Sequence, residues 1–161
     1  MNNEYTIASV KDKKLYGLSV ILTKSQNSNY TIINNSWKEF NTKLRSSNLP
    51  KQVGGNWEKY GITYKTGDVY KYFCGIPVEN EYVNNDFEEH KVLDGYYMIF
   101  QHKGAMYNIK DTLFTIYKKI IPENKILLNQ SEYFHFELYN YKFKWNKNES
   151  IIEIYIPINK R

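Results

Sequence analysis

Residues Tyr133 to Asn140 read YFHFELYN, an aromatic-dense stretch with one carboxylate, Glu137, and an imidazole, His135, two positions before it. Side chains alternate along a strand, so His135, Glu137 and Tyr139 share one face while Phe134, Phe136 and Leu138 share the other. Two chemistries suit such an acid. Among aromatic rings, a carboxylate can hold a lipophilic cation, with the rings adding apolar contact and cation–π attraction. Beside an imidazole, it can serve in acid–base work. No Ser or Cys nucleophile accompanies the pair, so His135 reads as a rim residue. Burying an unpaired acid is costly or raises its pKa, which leaves such a site poised for a cation or a proton.

The other reactive residue types offer less. Cys74 is the only cysteine, which rules out an intramolecular disulfide and Cys-based metal motifs. It falls on the expected core face with Tyr72 and Ile76 and reads as an inert buried thiol. The three histidines, His90, His102 and His135, lack metal-ligand spacing, so neither a metal nor a cofactor is expected. The net charge is +5, but only Arg45 and Arg161 are arginines and the lysines are scattered. That pattern points away from direct DNA binding. Without a signal-type apolar run or a membrane span, the default is a cytoplasmic protein.

The elements that must position Glu137 follow from periodicity. The segment YTIASVKDKKLYGLSVILT reads as two extended stretches, followed by a polar loop. Ser36 with Glu39 forms a capping-box pattern, which starts a helix over SWKEFNTKL with Trp37, Phe40 and Leu44 at helical spacing. Gly54 and Gly55 break the chain before the strands WEKYGITYK and VYKYFCGIPV. Residues 79–91 hold Glu79, Glu81, Asp86, Glu88 and Glu89 and read as a solvated connector.

The order then recurs. GYYMIFQHK is a strand, and Asn108 caps a helix with Leu113, Ile116, Tyr117 and Ile120 as its stripe. Pro122 and Asn124 end that helix. The strands YFHFELYNYKF and SIIEIYIPI complete the unit. YGITY parallels HFELY, and CGIPV parallels IYIPI. Strand–helix–strand–strand therefore occurs twice in one domain spanning residues 1–161, with repeats over about 5–78 and 92–159, related by a pseudo-twofold. The expected class is α+β, with antiparallel sheets, helices on one face and a central groove.

In the last strand Ile152, Ile154, Ile156 and Ile158 form a core face, expected to pack on the helices, while Glu153 and Tyr155 point the other way. Neighbouring strands would then gather Glu137, Tyr139, Glu153 and Tyr155 on one surface. The repeat adds Tyr60, Ile62, Tyr64 and Phe73 from the first half. Trp57 and Trp145, near strand ends, read as surface lids, and Phe100 shares a strand face with Tyr96.

These residues resemble the GyrI-like, or bacterial effector-binding, domain. LYGLSVILT, SWKEF, YFCGIPV, LDGYYMIFQHKG, and FELY followed by IEIYIPI match its segments in order, over nearly the whole chain. The resemblance implies paired βαββ units around a ligand groove that binds lipophilic, often cationic compounds. It puts Glu137 in the position of the ligand carboxylate, with Glu153 and Tyr155 nearby; Trp37 is family-like but also starts the apolar helix stripe and reads first as core, and Tyr107 is a candidate wall residue at a shifted corner. Met106 stands where many relatives carry an aromatic. The implied role is drug sensing or sequestration by a monomer or weak dimer, with transcription control through a partner protein. Two rival readings use other chemistry. One is a hydrolase of strained electrophiles with Glu137 as catalytic base. The other is an interaction protein, as gyrase-inhibitory relatives suggest.

Overall fold

The computed structural model describes residues 4–49, 57–78 and 86–159. Gly54, Gly55, Glu79 and Glu81 lie outside the described residues. Among the described residues there are eight strands: β1 (Tyr5–Val10), β2 (Lys13–Ile21), β3 (Lys59–Thr66), β4 (Val69–Pro77), β5 (Glu88–Val92), β6 (Gly95–Lys103), β7 (His135–Tyr139) and β8 (Ile151–Ile158). Helix α1 covers Gln26–Arg45. Helix α2 covers residues 109–123, entered through a short 3-10 turn, Met106–Asn108, and widened by a π turn at Ile116–Ile120.

All strand pairs are antiparallel, in the order β1-β6-β8-β7-β3-β4-β2-β5. From the β7/β3 seam outward, each side runs second, third and first strand of a strand–helix–strand–strand unit. This is the expected α+β arrangement of paired βαββ units.

Three sequence expectations about elements are corrected. Helix α1 begins ten residues before the Ser36–Glu39 pattern, with Ser25 as its N-cap accepting from the Ser28 amide at 3.3 Å. Asn29 locks that start to the end of β2: the Thr23 amide donates to its Oδ1 (2.7 Å) and its Nδ2 donates to the Thr23 carbonyl (2.9 Å). Ser36 is instead a buried mid-helix residue against Cys74. Asn108 has no side-chain capping bond. The end of the presumed connector, Glu88–Val92, is β5, paired with β2.

The sheet is strongly curled. In a flat sheet, β1 and β2 would stand six strand spacings apart, about 29 Å, yet Lys11 and Asp12 alone join them, a reach of about 11 Å. Leu93 and Asp94 make the same short link between β5 and β6. Val10 lies opposite Gly95 and Lys13 opposite Val92, so the two links run side by side and bring the edges together. Tyr97 and Tyr133 pin this corner: Tyr97 donates to the Leu93 carbonyl (2.6 Å), the Leu93 amide donates to the Tyr133 hydroxyl (2.9 Å), and the two hydroxyls bond each other.

The curl creates two cores. Its interior holds Tyr60, Ile62, Phe73, Tyr97, Phe136 and Leu138, with Tyr155 stacked on Phe136 at 4.5 Å. Its outer face carries the helices: α1 over Tyr72, Cys74 and Ile76, and α2 over Met98, Phe100, Ile154 and Ile156.

A candidate ligand cleft between the two helices

Glu137 sits on the helix-covered face at the β7/β3 seam, opposite Gly61 on one side and Ile154 on the other. It is 5% exposed. Tyr72 and Tyr139 both donate to its Oε1, at 2.8 and 2.7 Å. The Trp37 indole donates to the Tyr72 hydroxyl at 3.1 Å, so α1 steadies the network from behind.

Gly61 makes this geometry fit. A Cβ there would lie 1.9 Å from the Tyr72 hydroxyl and 3.0 Å from Glu137 Oε1. The absent side chain lets the Tyr72 ring cross β3 to reach the carboxylate.

Burial lifts the Glu137 carboxyl above its ordinary range, and the two phenol bonds pull it part of the way back. Burial, and then the carboxylate charge, push Tyr72 and Tyr139 well above the usual phenol range, so both remain donors. Among the described residues no Lys, Arg or His pairs with Glu137.

Above it lies a cavity of about 480 Å³ with Glu137 and His135 on its lining. Helix α1 contributes Tyr30 and Ile33, α2 contributes Ile109, Leu113 and Tyr117, and the sheet side contributes Thr63, Tyr70 and Phe134. At the mouth, Tyr107 meets Tyr30 edge-on at 5.0 Å, and Lys110 bridges the helices by donating to Asn27 (2.9 Å). Tyr70 and Phe134 stack at 5.7 Å. The volume and the largely apolar lining surface, which also carries Lys24, Gln26, Asn29 and Lys110, suit a small molecule.

His135 is buried rather than at a rim, and burial pushes its imidazole down to about 4. Its Nδ1 bonds the Tyr117 hydroxyl (3.0 Å), while Nε2 has no partner among the described residues.

The structure gathers part of the expected residue set. Glu137 and Tyr139 are together, Trp37 backs them, and Tyr107 stands at the cavity mouth, 47% exposed. Glu153 and Tyr155 do not share their surface. Strand β8 places Ile154 opposite Glu137, so its neighbours face the curl interior, where Tyr155 meets Phe136. The same one-residue offset sends Tyr60, Tyr64 and Phe73 inward, because Gly61 is the β3 residue opposite Glu137 and Phe73 lies opposite Ile62. Phe100 is under α2 beside Tyr5, at 5.5 Å, and does not line the cavity.

Sequence reasoning missed Tyr72, Tyr30, Ile33, Tyr70, Phe134 and Tyr117. The spacing Tyr30, Ile33, Trp37, Phe40, Leu44 is a continuous helical stripe that could have revealed the first half of α1.

Cys74 is fully buried, and burial pushes its thiol up to about 11. Among the described residues no group of three or more His, Cys, Asp or Glu could hold a metal ion, and no helix is long and apolar enough to cross a membrane.

Several solved structures share this fold. SAV2435, described as bound to tetraphenylphosphonium, aligns with a TM-score of 0.73 at 17% identity, covering 97% of this chain and 94% of that one. The integron cassette protein VCH_CASS2, from the mobile metagenome of Vibrio cholerae, aligns at 0.60 and 17%, covering 96% and 95%. EcmrR in complex with DNA aligns at 0.66 and 14%, covering 98% of this chain but 58% of that one. No curated protein sequence matches the chain. The model of the integron-associated effector binding protein family, Cass2, matches residues 6–158, and the chain belongs to that family.

Proposed function

We propose that this protein binds a lipophilic organic cation in the cleft between α1 and α2, with Glu137 as the charge partner. One observation carries the reading: a 5% exposed carboxylate, held by neutral phenols and making no ion pair among the described residues, lies on the lining of a largely apolar cavity whose lysines are Lys24 and Lys110. Leaving such a group unpaired is costly. A bound cation removes that cost, and Tyr30, Tyr70 and Phe134 supply ring faces and apolar area to its substituents. Both phenol bonds fall on Oε1, which leaves Oε2 for the guest. The tetraphenylphosphonium complex of SAV2435, a protein of the same fold, supports this choice of ligand class.

The role is sensing or sequestration in the cytoplasm. DNA-level control would come through further protein segments or a partner, as the DNA complex of the longer EcmrR suggests. Calorimetric titration with tetraphenylphosphonium tests the reading. Wild type should bind one equivalent, and Glu137→Gln should lose about tenfold or more, the size of one buried charge contact. Affinity should rise with pH through the raised Glu137 value and stay flat in the Gln variant. Equal affinities for both proteins would remove Glu137 from the mechanism.

A further inference from the structure

A second cavity, of about 300 Å³, lies on the C-terminal half of α1. It shares Met106 with the first, but Glu137 does not line it. Five rings wall it: Trp37, Trp57, Tyr139, Phe143 and Trp145. Four of them, Trp37, Tyr139, Phe143 and Trp145, brace one another edge to face. Trp37 meets Tyr139 at 5.3 Å, Tyr139 meets Phe143 at 5.0 Å, and Phe143 meets Trp145 at 6.2 Å. Such a chain of contacts holds the walls apart without a guest.

The polar lining has one sign. Asn34, Lys38 and Asn41 follow one another along a face of α1, Lys59 comes from β3, and among the described residues no carboxylate lines the cavity. Lys59 is half-buried and donates to Asn41 Oδ1 at 2.8 Å, a neutral partner; among the described residues it makes no ion pair. Burial lowers its ammonium below the usual lysine range, a cost that a nearby anion would relieve. A bare aromatic cage favours a cation. Two ammonium groups, with no carboxylate on the lining among the described residues to offset them, reverse that preference.

We propose that this cavity is a second ligand site, opposite in charge preference to the Glu137 cleft, and that it takes a flat aromatic anion such as an aromatic carboxylate. The ring lies among Trp37, Trp57 and Phe143, and the charge meets Lys59. The first cavity selects for positive charge through Glu137; this one selects for negative charge through Lys59. The two sites therefore respond to different variants.

Calorimetry with 2-naphthoate on the full chain tests this. One equivalent should bind. The uncharged analogue 2-naphthylmethanol should bind about tenfold more weakly or worse, as expected for the loss of one charge-assisted contact. Lys59→Met should weaken naphthoate to a similar degree, Lys59→Arg should retain it, and Glu137→Gln should leave it unchanged. Retained tetraphenylphosphonium affinity in Lys59→Met would show that the variant is folded. Should that variant fail to fold, the naphthoate–naphthylmethanol comparison on wild type still decides. Absence of saturable naphthoate binding, equal affinity for the neutral analogue, or loss of binding in Glu137→Gln would each overturn the proposal.

Discussion

Glu137 and His135 stand two residues apart on one strand face, and burial drives their protonation in opposite senses. The folded Glu137 carboxyl lies above its ordinary range. Its contribution to stability is therefore complete below the unfolded carboxylate value and is lost as pH rises through the folded one. His135 falls from 6.5 to about 4, so stability is lost as pH drops between those values, by up to about 3 kcal/mol. Urea denaturation across this window should show both slopes. Glu137→Gln should flatten the loss at rising pH, and His135→Gln the loss at falling pH. Unchanged profiles would mean that neither group is buried as described. At this scale the acid was legible in YFHFELYN because a lone carboxylate among rings stands out. One of its two phenol donors was not: Tyr72 reads as one more core aromatic on the face of Cys74 and Ile76. Only the glycine opposite, Gly61, lets its hydroxyl through to the carboxylate.

At the scale of elements, the cleft depends on where α1 starts and on the offset between strands. Ser25→Ala removes the N-cap bond and should cost about 1 kcal/mol in thermal or urea unfolding. A loss within error would show that the Thr23–Asn29 lock alone sets the helix start. Gly61→Ala puts a methyl into the path of Tyr72 and should destabilise by about 1–3 kcal/mol while weakening cation binding through the displaced phenol. Wild-type affinity in that variant would separate Tyr72 from the site. The repeat and the identity of most strands were readable from periodicity. The pairing register was not, since a shift of one residue moves Tyr60, Tyr64, Phe73 and Tyr155 to the other face without altering any local pattern. The N-terminal half of α1 hid for a different reason. Its exposed face is so rich in Asn, Ser and Thr that QNSNYTIINN reads as a loop, although Tyr30 and Ile33 continue the stripe of Trp37.

For the molecule as a whole, two two-residue links curl the sheet and assign its two faces different tasks. The interior is core throughout, while the helix-covered face combines core packing with the proposed ligand cleft. Phe136→Ala should therefore cost about 3–5 kcal/mol by the cavity it leaves. Phe134→Ala, on the cavity lining, should change stability far less and weaken the cation instead. The reverse ranking would mean that the faces are misassigned. The density of tyrosine and phenylalanine made an aromatic pocket the natural expectation. Much of it fills the inside of the curl, an arrangement that depends on long-range closure between β1–β2 and β5–β6 that no local stretch encodes.

The most direct test of the central claim is a crystal structure with tetraphenylphosphonium bound. The account predicts phosphonium density between α1 and α2, with its centre facing Glu137 Oε2 and phenyl groups against Tyr30, Tyr70 and Phe134. Density elsewhere, or a carboxylate turned away from the cation, would contradict it.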